Sequence, residues 1–221
     1  MMKEKNAVPV KNRHLVLITL IWVLLVLYPN PLHLFRSIHR SWLPPVNPDG
    51  VLHLLNEAPT EAEPLERYVL QQFPYQYDWI TYGMPWYFPT LEEALEKQAG
   101  DCKTRFIVLA SLFEAQKIPY RQSFSLSHFW VIYDGKEENA WEREQNAFLL
   151  REEDGSARLQ IPQEDRSQIY RNFRDGFWRA MPTHRKRLLL AGPLTAFLAG
   201  ILLHGLRKKE KTTVGPAPID A

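Results

Sequence analysis

Residues 100–133 read GDCKTRFIVLASLFEAQKIPYRQSFSLSHFWVIY. Asp101 is a residue type that caps a helix by accepting a backbone N–H, so Cys102 becomes the first helical residue. Phe106, Leu109, Ala110 and Phe113 then recur at helical spacing, which predicts a helix that buries one face and ends before Ile118-Pro119. Tyr120 to Ser125 and Ser127 to Tyr133 read as strands, the second rich in aromatic and β-branched residues, and Asp134-Gly135 signals a hairpin turn. Helices first and antiparallel strands after predict an α+β domain.

Upstream, Thr90 and Glu93 form an S/T-x-x-E capping box after Pro89, so a helix runs from Leu91 to Gln98 and Gly100 ends it. Glu61 to Phe73 has helical spacing with Leu65, Val69 and Leu70 as its stripe. Residues 36–64 hold Pro44, Pro45, Pro48, Pro59 and Pro64, and read as an extended connector with a short helical piece around Val51 to Asn56. Downstream, Glu138 to Glu144 is expected as a third strand. Phe148 to Ile161 follows as a hairpin turning at Asp154-Gly155. Gln163 to Met181 reads as an amphipathic helix with Ile169, Tyr170, Phe173 and Phe177 on one side. The central domain is placed at residues 65–182.

The ends differ in composition. A basic tail, residues 1–14, precedes an apolar run without a small-x-small cleavage site, so residues 15–35 are expected as an uncleaved signal anchor. Leu188 to Leu206 is a second apolar run with Pro193 and several small residues, expected to span a membrane. Residues 207–221 read as a basic disordered tail. Lysines and arginines before the first run and after the second place both termini in the cytoplasm and the domain outside it. Arg185, Lys186 and Arg187 lie on the wrong side for that topology and keep the inverse one open. A net charge of +2 over 221 residues excludes a concentrated basic face for nucleic acid. The single cysteine excludes an intramolecular disulfide and a multi-cysteine zinc site.

A lone cysteine is commonly a buried small apolar residue. Cys102 differs in standing at a helix start, where unpaired N–H groups and the macrodipole favour a thiolate. A thiol nucleophile needs a base. Of the seven histidines, His53 and His128 lie inside the domain, and His128 sits on the expected central strand. A core histidine with one hydrogen bond is the plain alternative. Eight aromatics between Phe73 and Phe88 can line a substrate groove, rest at a membrane interface or pack over the core. Trp79 and Trp86 from this stretch, with Trp130 beside His128, are the expected substrate-binding residues.

Gly100-Asp101-Cys102-Lys103, Leu109-Ala110-Ser111-Leu112, Ile118-Pro119-Tyr120-Arg121 and His128-Phe129-Trp130-Val131 together resemble the transglutaminase-like core, a papain-like cysteine-dependent fold. The likeness covers roughly residues 75–145. It implies Cys102 as nucleophile and His128 as base, with a thioester intermediate and no metal or cofactor. That family's third residue is usually an aspartate on the strand after the histidine, and none lies between Asp134 and Asp154. Asp134 is too far along the strand to reach the imidazole. In a hairpin, a two-residue turn sets Trp141 opposite His128, a three-residue turn Glu142 and a four-residue turn Arg143. The three-residue register alone supplies a carboxylate, so Glu142 is expected to orient the ring. The function implied is a membrane-anchored peptidase, amidase or acyltransferase acting on a peptide or protein near the bilayer. An inactive module that binds a protein partner is the alternative.

Overall fold

The structure is a computed structural model, and it describes residues 10–213 other than 126, 138, 153 and 164, with side chains from 13 to 202. The described elements are α1 (Val10–Leu27), α2 (Leu32–Trp42), a 3-10 segment (Asp49–Leu54), α3 (Ala62–Gln72), α4 (Asp78–Thr81), α5 (Leu91–Lys97) and α6 (Cys102–Gln116). Then come β1 (Arg121–Phe124), β2 (Phe129–Ile132), a second 3-10 turn (Glu144–Asn146), β3 (Leu149–Arg151), β4 (Ala157–Leu159), α7 (Arg166–Phe173), a π-helical continuation (Arg174–Arg179) and α8 (Thr183–Thr213). They form two compact units, Leu32–Met181 and a terminal unit of Met1–Pro31 with Pro182–Ala221.

The Leu32–Met181 unit is α+β. Its antiparallel sheet has the order β2-β1-β3-β4. Phe124 of β1 pairs with Phe129 on one side and Leu149 on the other, and the two phenyl rings stack 5.0 Å apart. The expected hairpin over 148–161 forms as β3 and β4, with Leu149 opposite Leu159. The expected strand over 138–144 does not form: its described residues are irregular chain leading into the 3-10 turn, and Glu138 lies outside the described residues. Pairing after β2 passes instead to β1.

Helix α6 lies at the centre of the core. Every residue from Cys102 to Phe113 is buried except Arg105, so the helix buries its whole circumference rather than one face. A helix apolar nearly all round must be enclosed on all sides. The sheet covers one side; α3, α5 and the 3-10 segment cover others. The proline-rich stretch is therefore packed chain, not an extended connector: Val51 is fully buried, and Ser111 accepts from the Asn47 amide at 3.1 Å. Leu65 and Val69 join the core as expected, whereas Leu70 is exposed. The capping box at Thr90 and Glu93 is present. Gln98, not Gly100, takes the left-handed position after α5. Gly100 is needed for close approach, since a Cβ there would meet Thr104 Oγ1 at 2.1 Å. It also bridges to Tyr75, with the Gln76 amide donating to the Gly100 carbonyl at 2.9 Å and the Gly100 amide to that of Pro74 at 3.2 Å. The helix expected over 163–181 runs from Arg166 to Arg179, its second part π-helical, and Tyr170 and Phe173 on it are exposed.

In the terminal unit α1 and α8 run antiparallel in contact. The Trp22 indole donates to the Leu188 carbonyl at 2.9 Å, and Arg185 donates to that of Val26 at 2.7 Å. Gly192 permits the approach, because a Cβ there would fall 2.1 Å from the Trp22 ring. The first run is not one helix over 15–35: α1 stops at Leu27, Pro29 and Pro31 interrupt the hydrogen-bond ladder, and α2 begins at Leu32. The chain past 206 is helical to Thr213, not a disordered tail, and residues 214–221 lie outside the described ones. The expected tail of 1–14 is already helical from Val10, and residues 1–9 lie outside the described ones. No single described helix is long and apolar enough to cross a membrane; α1 and α2 reach that length and composition only when taken together across their break.

Candidate active site

Cys102 opens α6, with Asp101 as its N-cap accepting from the Lys103 amide at 2.9 Å. The site depends on what fixes this helix start. Lys103 turns inward, 3% exposed, and its ammonium pairs with Asp101 and with Asp78 of α4 at 2.9 Å. Asp78 also accepts from the Tyr87 amide at 2.7 Å. Burial and the adjacent Asp101 charge push Asp78 up to about 7, against the opposing pull of Lys103. The Lys103 ammonium is held charged despite burial by the two carboxylates.

His128 precedes β2, in a tight turn where the Ser125 amide donates to the His128 carbonyl at 2.8 Å and the His128 amide donates to Ser125 Oγ at 3.1 Å. Its ring stacks on Trp130, two residues on, at 5.7 Å and 17°. Nε2 lies 2.9 Å from Glu142 Oε1, which leaves Nδ1 for the thiol. Burial opposes a charged ring, but the hydrogen bonds to Cys102 and Glu142, with their negative charge, outweigh it and raise His128 to about 10.

Glu142 thus reaches the imidazole, though not through the expected hairpin. Asn139 Oδ1 accepts from the amides of both Trp141 and Glu142 at 2.9 Å, forming a side-chain turn. Lys136 holds the other carboxylate oxygen at 2.8 Å. That lysine also donates to the Val131 carbonyl at 3.0 Å and pairs with Glu66 of α3 at 2.7 Å. Tyr133 completes the group by donating to Glu66 at 2.5 Å. Burial works against the Glu142 charge, yet the His128 hydrogen bond and the Lys136 ammonium lower it to about 2.

Cys102, His128, Glu142 and Trp130 line one cavity of about 90 Å³, with Tyr75, Arg105 and the apolar Leu70 and Leu109. A wider polar groove of about 630 Å³, lined by Lys136 among others, shares Glu142 with it. Of the tryptophans expected to bind substrate, only Trp130 lines the cysteine cavity. Trp79 is buried, donates to the Phe177 carbonyl at 2.9 Å and packs edge-on against that ring. Trp86 is partly buried and is not part of the cavity wall. Aromatic density does not reveal which rings face inward. Sequence reasoning missed Arg105, Glu66 and Lys136, and did not single out Tyr75 from the aromatic stretch. Arg105 carried a usable signal, since a residue three after Cys102 on a helix shares its face. Among the described residues no group of histidine, cysteine, aspartate and glutamate has the arrangement of a metal site. No family model, no curated protein and no solved structure matches this chain.

Proposed function

We propose that this chain is a thiol-dependent enzyme of transglutaminase-like type, acting on an amide carbonyl of a peptide or protein. The observation that carries the reading is one arrangement: a thiol at a helix start, lining the same cavity as an imidazole whose Nε2 meets Glu142 at 2.9 Å. A nucleophile, a base and an orienting carboxylate in this order are what acyl transfer requires.

In this reading His128 already holds the Cys102 proton, and the thiolate Sγ attacks the carbonyl carbon. The C–N bond then breaks, and the imidazolium returns the proton to the departing amine. A thioester on Cys102 remains. Water attacks it, His128 accepts the water proton, and the C–S bond breaks to release acid and thiol; an amine in place of water gives transfer. Asp101 occupies the Lys103 amide, which leaves the N–H of Cys102 itself as a helix-start donor for the oxyanion. Glu142 stays ionised and holds the ring.

Membrane attachment belongs to the same proposal. Apolar side chains of α1 and α8, among them Leu17, Leu20, Leu190, Leu194 and Phe197, stand more than half exposed, an arrangement that suits lipid better than water. With basic residues at both chain ends in the cytoplasm, the domain faces outward.

Alkylation tests the enzyme reading cleanly, because Cys102 is the chain's only thiol. The full chain in detergent should react with iodoacetamide at pH 6, where an ordinary thiol near 8.5 is nearly unreactive. His128→Ala should abolish that acid-range reactivity. A folded chain that does not react at pH 6 overturns the reading and favours the partner-binding alternative, to which the small cavity and the 8% exposure of Cys102 would then belong.

A further inference from the structure

Between Cys102 and Phe113, Arg105 is the one residue that the fold leaves only partly buried. It stands on the Cys102 face of α6 and lines the same cavity. Two contacts set the plane of its guanidinium: Nε donates to the Phe73 carbonyl at 2.9 Å, and the group lies over the Tyr75 ring at 5.3 Å. Neither contact neutralises it. Lys103 and Lys136 are each held by two carboxylates, whereas Arg105 has no ion pair among the described residues. Glu66 and Glu142 share the cavity wall with Arg105, but both are turned to Lys136. Partial burial lowers the guanidinium's pKa from its usual value, and the charges of Tyr75, Cys102 and Asp101 nearby offset this only in part.

A cation fixed in orientation, with Nε occupied and both terminal nitrogens without a protein acceptor among the described residues, presents an end-on fork. That fork matches a carboxylate. A phosphate fits less well, since its second charge would meet Glu66 and Glu142 in a cavity of only about 90 Å³. We propose that Arg105 recognises a carboxylate on the substrate, so that the cleft selects acyl substrates bearing an acid group within about 5–6 Å of the carbonyl that Cys102 attacks, the spacing of neighbouring side chains on one helix face. This rests on the reading of Cys102 as the nucleophile. It adds a specificity that the nucleophile, base and orienting residue do not supply. A chain-terminal carboxylate and an aspartate or glutamate side chain offer the same chemistry.

Iodoacetate and iodoacetamide put the question to the same sulfur, since both form the S–C bond and expel iodide but only one carries a carboxylate. In the full chain, the iodoacetate-to-iodoacetamide rate ratio should exceed that of the urea-unfolded chain by about tenfold, the equivalent of about 1.4 kcal/mol and modest for one partly screened ion pair. Arg105→Gln should return the ratio to the unfolded value, and Arg105→Lys should keep most of it. The cationic imidazole also attracts iodoacetate, so the difference between the two variants is the decisive reading. If Arg105→Gln does not fold, protection of the unaltered chain from iodoacetamide decides. N-acetylglycine protecting better than N-acetylglycinamide supports a terminal carboxylate, and N-acetylaspartic acid α-amide protecting supports a side-chain one. Equal protection by N-acetylglycinamide, or protection by none, overturns the proposal. Reaction with iodoacetamide and no carboxylate preference overturns it while leaving the nucleophile standing. Failure of both reagents in the folded chain overturns the nucleophile as well.

Discussion

Lys103 and Lys136 are each clasped by two carboxylates, the first beside the thiol and the second behind the imidazole. The Lys103 cluster is the drier one: its ammonium side chain is 3% exposed and that of Asp78 2%. In the other, Lys136 is 10% exposed, Glu66 19% and Glu142 16%. The first joins α4 to the opening turn of α6 and decides where the thiol stands. The second joins α3 to an irregular loop and decides how the imidazole is turned. Two clusters of like form, a lysine between two carboxylates, thus serve placement in one region and orientation in the other, and they differ in burial. A buried pair that loses one member strands a charge, while a partly wet pair can recruit water.

The largest effect is expected at the dry cluster. Lys103→Met leaves Asp78 and Asp101 without their cation and should cost about 3–5 kcal/mol in urea unfolding at pH 8. The loss should be smaller at pH 5, because Asp78, already raised to about 7, takes up a proton. An equal loss at both pH values would break the assignment of the damage to charge. Lys136→Met should cost less, about 2 kcal/mol, as a partly solvated charged hydrogen-bond centre does. Its larger effect should be on Cys102 alkylation at pH 6. A variant that loses stability with unchanged alkylation would show that the second cluster also serves placement.

Titration sharpens the contrast further. His128 is raised from 6.5 to about 10, so its stabilisation is fully present below 6.5 and is lost as pH rises toward 10. Glu142 is lowered from 4.5 to about 2, so its contribution is complete above 4.5 and is lost as pH falls toward 2. These two groups favour a stability plateau between 4.5 and 6.5. In urea midpoints across pH 2–10, Glu142→Gln should flatten the acid limb and bring the alkaline limb to lower pH. An unchanged profile would remove Glu142 from the pair. The smallest effect lies outside both clusters. Lys117 closes α6 with φ at +59°, where glycine is at ease, so Lys117→Gly should stabilise by about 0.5–1 kcal/mol. Destabilisation instead would mean that the lysine side chain holds the turn.

The α6 start, its cap, the capping box before it, the β1–β2 pair and the β3–β4 hairpin were all legible, because each is written in a few adjacent residues. Glu142 was identified through a hairpin that does not exist. The demand for a carboxylate near His128 was sound, but what delivers it is the Asn139 turn and the Lys136 clamp, neither of which has a periodicity to read. Lys103 and Lys136 were invisible as cluster centres because their partners are set by folding: Asp78 lies 25 positions from Lys103 and Glu66 70 from Lys136. Trp79 was misplaced for a related reason, since α4 is a single turn, too short to carry a period that says which ring turns inward.

The bridge between Tyr75 and Gly100 has a use as a gauge. Two amides, those of Gln76 and Gly100, close the neck of a loop that carries α4, Asp78 and α5, and the thiol sits two residues beyond it. Neither amide can exchange its hydrogen for deuterium unless the neck parts, and when it parts the thiol loses its footing. Their exchange rates would count how often the resting protein comes undone beside Cys102, with no ligand added.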